Sequence, residues 1–211
     1  LVLLLLFAQA SFPEARAKWQ AGLNSGLPAF VALAKPAPLA NLEGVLHYDA
    51  LNAARQARQL TGDPRWDDAI RNARYQWRDL YILPQGGMVP GWRLYSEGLK
   101  ADFAATGDLD TRDALLLLAR GTYAQSPCDP AWRLWTRSRE VAESMLCMMD
   151  GRAAGLPLPS YYGGYVDAAL AHLQQWFDPA CPAGIAPGFD PAYLGSQPFM
   201  VGITLRALIA E

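Results

Sequence analysis

Two stretches decide the fold: Ala54-Arg-Gln-Ala-Arg-Gln-Leu-Thr61-Gly62-Asp63 and Leu99-Lys-Ala-Asp-Phe-Ala-Ala-Thr106-Gly107-Asp108. The same Thr-Gly-Asp returns 45 residues later, each time between two helical patterns. A repeat of that length marks stacked helical hairpins, in which one hairpin cannot bury its apolar face alone. The glycine suits the left-handed position just past a helix end, and the aspartate can cap the helix that follows. Pro64 after Asp63 fits a first helical turn, and Asp110-Thr-Arg-Asp113 offers a second N-terminal cap with an acidic first turn.

Outward from these turns, apolar residues recur at helical spacing. Ala50, Ala53, Ala54, Ala57 and Leu60 mark the first helix, and Trp66, Ile70, Ala73, Trp77, Leu80 and Tyr81 the second. A third is expected from about Trp92 to Ala105. The fourth contains Ala114-Leu-Leu-Leu-Leu-Ala119, apolar on every side as in a helix packed between neighbours. Trp132, Trp135, Ala142, Met145, Leu146 and Met149 trace a fifth, opened by Asp129-Pro130. Tyr165 to Phe177 and Pro198 to Glu211 make the sixth and seventh. No segment alternates like a strand between hairpin turns, so the fold class expected is all-α. The hairpin domain spans 44–211, behind a lead-in over 11–43.

The chain has 211 residues, 52% hydrophobic and 18% charged, enough apolar mass for one ordinary domain or a piece of a larger one. Eighteen Lys and Arg against 20 Asp and Glu leave a net charge of −2, without the basic footprint that phosphate backbones require, so nucleic acid is not an expected partner. Leu1-Val-Leu-Leu-Leu-Leu-Phe7 followed by Ala8-Gln-Ala10 reads as a signal-peptide core with its cleavage site over 1–10, too short for a membrane span. It predicts a secreted or periplasmic protein whose mature form begins at Ser11. Cys128 and Cys181, each in a Pro-rich loop, could form a disulfide, whereas Cys147 within Met145-Leu-Cys-Met-Met149 reads as a buried apolar thiol. His47 and His172 stand far apart without partners at ligand spacing, so no metal site is expected. No cofactor is implied either.

Leu60-Thr-Gly-Asp-Pro-Arg-Trp66, Glu97-Gly-Leu99 with Ala105-Thr-Gly-Asp108, and Gln197-Pro-Phe-Met-Val-Gly202 resemble the (α/α) toroid, or six-hairpin glycosidase-like, superfamily. The resemblance implies antiparallel helical hairpins in a toroid-like arc, incomplete at this helix count, with inner helices around a sugar-binding cleft. Glycoside hydrolases, polysaccharide lyases and sugar epimerases share that architecture, as do proteins without known activity.

The loops before the inner helices hold the candidate chemistry. Gly44-Val-Leu-His47-Tyr48-Asp49 offers a base and an orienting carboxylate, or a structural histidine beside an N-cap. Gly86-Gly-Met-Val-Pro-Gly91-Trp92-Arg93-Leu-Tyr95-Ser-Glu97 brings an indole, a guanidinium, a phenol and a carboxylate to one helix start. Trp92 and Tyr95 could stack on a sugar ring. Arg93 and Glu97, four apart, are expected to share a helix face, where Arg93 could hold a uronate carboxylate and Glu97 act as acid or base. The alternative is a plain surface ion pair. Ser160-Tyr161-Tyr162-Gly163-Gly164-Tyr165 gives Tyr161 as a proton donor and Tyr162 as a binding residue, or clustered packing; Gln197 could bond a sugar hydroxyl. His172, mid-helix, reads as a packed histidine. No nucleophile elbow, phosphate loop or dinucleotide fingerprint is present. The leading expectation is therefore an exported glycoside hydrolase or uronate polysaccharide lyase acting on an oligo- or polysaccharide. The alternatives are a non-catalytic carbohydrate-binding protein and a structural subunit that buries its faces against an assembly partner.

Overall fold

The computed structural model describes residues 13–33, 49–121, 137–177 and 198–210. Among them the chain is all-α, with eight α-helices and no strand. They group into two compact units that divide after Tyr81.

The first unit contains α1 (Pro13–Leu33), α2 (Ala50–Thr61) and α3 (Trp66–Arg74), which runs on into a π-helical segment, Tyr75–Ile82, whose last residue belongs to the second unit. Helix α1 packs on both α2 and α3. It falls in the stretch expected only as a lead-in, and it carries Gly22, Gly26 and Pro28 within the helix and a Trp19 that is 65% exposed. In α2 the buried face is Leu51, Ala54 and Ala57. Ala53, expected inward, is exposed, because the larger Leu51 turns the helix toward itself. The periodicity of the second expected helix holds in its burial, since Trp66, Ile70, Ala73, Trp77 and Tyr81 are all interior. Its backbone does not keep one pitch. The widened turns after Arg74 stack Trp77 on Tyr81, with centroids 5.2 Å apart and planes 18° from parallel, and bring Gln76 and Ile82 inside as well.

The second unit contains α4 (Glu97–Thr106), α5 (Leu109–Gly121), α6 (Ser138–Ala153), α7 (Tyr162–Phe177) and α8 (Pro198–Ala210). Helix α6 is its centre, packed by α4, α5, α7 and α8. It is accordingly buried on several sides, polar positions included. Val141, Ala142, Met145 and Met148 form one core with Tyr162, Tyr165, Ala168 and Ala169 of α7 and Ala207 of α8. Of the residues expected to trace this helix, Trp132 and Trp135 lie outside the described residues.

The two Thr-Gly-Asp turns are built alike. Gly62 (φ 70°) and Gly107 (φ 67°) are left-handed, and their N–H groups donate to Arg58 O at 2.9 Å and Phe103 O at 2.8 Å. Thr61 and Thr106 each donate Oγ1 to the carbonyl four residues back at 2.7 Å, and each accepts the next aspartate's N–H at 3.2 Å. Asp63 and Asp108 then accept the N–H two residues on, at 2.9 and 3.0 Å. Asp108, rather than Asp110, thus caps α5. Nothing lies within 4 Å of a Cβ added at Gly62 or Gly107, so alanine there costs only the left-handed backbone. Gly62→Ala and Gly107→Ala should each destabilise by about 1 kcal/mol in urea unfolding. No loss in either would argue against the left-handed turn.

The third expected helix is corrected at its start. Pro90 is extended (ψ 142°), Gly91–Arg93 form a single 3-10 turn, and the α-helix begins only at Glu97. The proline's fixed φ and missing N–H favour a turn ahead of the helix rather than its interior.

Candidate functional site

The connector from Gly86 to Glu97 is the segment that the sequence marks as richest, and it is held at both ends. Gly86 (φ 58°) and Gly87 (φ 80°) turn the chain, and Gly87 N–H donates to Ile82 O at 3.0 Å. Gly87 lies against the Leu117–Leu118 backbone, and its own carbonyl faces Gly121, so connector and α5 touch through main chain. Arg93 N–H donates to Pro90 O at 2.8 Å, closing the 3-10 turn. Arg93, Leu94, Tyr95 and Ser96 are then all buried, Arg93 to 2% exposure and Tyr95 to 8%.

They are covered by α6, on which Arg139, Glu143, Cys147 and Asp150 recur at spacings of four, four and three and so share a face. Arg139 joins the two elements: Nη2 donates to Tyr95 Oη at 2.8 Å and Nε to Glu143 Oε1 at 2.9 Å. Two turns on, Asp150 accepts from Ser96 Oγ and from Lys100 Nζ, both at 2.7 Å. Glu143 is 6% exposed, and its Oε2 is buried with no hydrogen-bond partner. Burial pushes its carboxyl up to about 7; Arg139 works against this and Glu140 adds to it. Burial likewise raises Tyr95, with the Arg139 charge opposing, so the phenol stays protonated at neutral pH. The Cys147 thiol is pushed far up by burial and by Asp150, which suits the expected inert apolar thiol. A phenol that keeps its proton and a carboxyl that exchanges one near neutrality therefore share one guanidinium.

Of the residues expected in the site, Arg93 and Tyr95 are brought together against α6. Glu97 and Arg93 do not lie on one helix. The 3-10 turn and the non-helical residues after it remove the common helix face, and Glu97 pairs with Arg206 of α8. Tyr162 is 5% exposed and belongs to the apolar core, with Tyr161 packed against that core. The Tyr161 ring stands 6.3 Å from that of Tyr165, tilted by 43°. Asp49 is the N-cap of α2, its Oδ1 accepting Asn52 N–H at 2.9 Å. His172 is fully buried within α7. His47, Gln197, Cys128, Cys181, residues 1–10 and the Trp92 side chain lie outside what is described.

Sequence reasoning missed Arg139 and Glu143. The signal was Ser138-Arg139-Glu-Val-Ala-Glu143, an i,i+4 pair of the kind that usually faces solvent, and nothing local tells a buried pair from an exposed one. Among the described residues, no three His, Cys, Asp or Glu gather as a metal site, and no helix is long and apolar enough to cross a membrane. Comparison with protein-family models, curated proteins and solved structures finds no match to the chain.

Proposed function

We propose that the chain is an exported, carbohydrate-active protein, its hairpins part of a toroid-like arc, with the Arg93–Glu97 connector and the facing side of α6 as its site. The observation that carries this reading is the Tyr95–Arg139–Glu143 cluster. Guanidinium groups suit a uronate carboxylate. A protonated phenol and a carboxyl that titrates near 7 suit proton transfer at a sugar. Elimination on a uronate fits this set better than hydrolysis. A retaining glycosidase needs two carboxyl groups about 5 Å apart, whereas Asp150 lies two turns from Glu143 on the same helix, about 10 Å along its axis, and is already bonded to Ser96 and Lys100.

The near-complete burial of Arg93, Tyr95 and Glu143 favours a second reading, a non-catalytic carbohydrate-binding or assembly subunit in which the cluster fastens two elements. Ile209, 83% exposed, and Leu205 on the outer side of α8 add apolar surface suited to such a subunit. One titration separates the readings. Purified protein is mixed with neutral and with uronate oligosaccharides, and tryptophan fluorescence and formation of an unsaturated uronate are followed, with Trp92→Ala, Tyr95→Phe and Glu97→Gln alongside. Binding and turnover of uronates, with turnover lost in Tyr95→Phe, is the expected result. Binding without turnover supports the binding module, and no binding at all supports the assembly subunit.

A further inference from the structure

Two glycines of α1 serve neither its backbone nor its packing. Lys18, Gly22 and Gly26 stand four residues apart and so form one row along the helix, roughly 12 Å long at 1.5 Å per residue. A row at this spacing is normally a ridge of side chains. Here two of its three positions are bare. Glycine inside a helix is unfavourable relative to alanine, yet φ is positive at neither Gly22 nor Gly26, and nothing lies within 4 Å of a Cβ added at either. The missing side chains leave a cleft of about 520 Å³, lined by Lys18, Trp19, Gly22, Leu23 and Gly26 with Trp66 of α3. Trp19 is 65% exposed beside it. The lining is largely apolar, its one charged group is Lys18, and it holds no hydroxyl, carboxylate or amide side chain with which to bond a sugar.

The second unit carries the complementary shape and charge. Leu109, the first residue of α5, is 63% exposed. Asp110 follows it and Asp113 lies one turn on, both exposed, so an apolar knob stands beside two carboxylates. The neighbouring Asp108 is already committed, accepting Asp110 N–H and Thr111 Oγ1. Among the described residues no ion pair occupies Lys18, Asp110 or Asp113. The cleft has room for a leucine together with part of the turn that carries it. We propose that copies of this chain associate head to tail: Leu109 of one copy enters the Trp19–Gly26 cleft of the next, with Asp110 and Asp113 facing its Lys18. Both halves of the contact lie on this one chain, and that makes a second copy the occupant.

Cleft and knob are different surfaces, so the contact is heterologous: each copy can accept at one and donate at the other, and the assembly grows as an open chain or closes as a ring. One helix start in one cleft is a smaller contact than the roughly 1,200 Å² at which stable interfaces begin. The association is therefore weak and reversible. Its charged part acts at exposed groups and is screened by salt. The contact stands whether or not a sugar binds at α6.

The test is sedimentation velocity of the full chain from micromolar to millimolar concentration, at low and at high salt, with circular dichroism to verify that each variant is folded. The average mass of the parent should rise with concentration, and less so at high salt. Lys18→Glu alone, and Asp110→Lys together with Asp113→Lys, should each weaken self-association on the order of tenfold. Mixing these two proteins should restore it, because each then meets an opposite charge on the other. Lysines at a helix start oppose its dipole, so Gly22→Gln serves should the α5 variant not fold: it fills the cleft where nothing else lies and favours the helix. It should weaken association by a similar factor. Three results would overturn the proposal: a parent that stays monomeric at every concentration at low salt, association unchanged in folded Lys18→Glu or Gly22→Gln, or a mixture of the two folded charge variants no larger than either alone.

Discussion

Replacing Gly87 with alanine is expected to destabilise the second unit by about 2 to 5 kcal/mol, a fall in melting temperature on the order of 10 °C. Two costs combine there. Gly87 has φ 80°, where a side chain is strained, and the added Cβ would fall on the Leu117 carbonyl, a main-chain atom that cannot swing aside. Its neighbour Gly86 separates the two, being equally left-handed (φ 58°) with nothing within 4 Å of an added Cβ. Gly86→Ala should therefore cost only about 1 kcal/mol. Gly121→Ala meets the Gly87 carbonyl from the other side without a left-handed φ, and should fall between them. Urea unfolding of the three variants checks the order. Equal losses at Gly86 and Gly87 would mean that the main-chain contact between connector and α5 is absent.

Glu143→Gln should change the shape of the stability curve against pH. Unfolded, Glu143 titrates near 4.5; folded, near 7. Between these values the folded protein keeps a proton that the unfolded chain has released, so this group's contribution to stability falls as pH rises and levels off above about 7. At about 1.4 kcal/mol per unit, the decline amounts to roughly 3 kcal/mol. Glutamine imitates the neutral acid at every pH. The variant should match the parent near pH 4 and exceed it by up to about 3 kcal/mol near pH 8, read from urea midpoints at pH 4, 6 and 8. Parallel curves would show that Glu143 ionises without penalty.

Much of the helical framework was legible because its signals are local. A cap, a left-handed glycine and an acidic first turn act within four residues, so Thr61-Gly62-Asp63 and Thr106-Gly107-Asp108 could be placed without knowing what packs on them. The candidate site was legible only in half. Arg93 and Tyr95 stood out by composition, yet Glu97 pairs with Arg206, and the guanidinium that bonds Tyr95 and ties it to Glu143 came from a helix more than forty residues on. Tyr161 and Tyr162 carried the same composition signal and sit with the core formed by α6, α7 and α8.

What the sequence determined by itself was the all-α class, the hairpin turns and most helix positions, since these follow from periodicity and capping along one stretch of chain. Tertiary structure alone decided that Arg139 and Glu143, an ordinary surface-type pair in the sequence, are enclosed under Tyr95, and that Gly87 and Gly121 meet through their backbones. Desolvation is the physical reason. A carboxyl's proton affinity and a glycine's necessity depend on what lies within a few ångströms in space, and that neighbourhood exists only once α6 has packed between the connector and the helices around it.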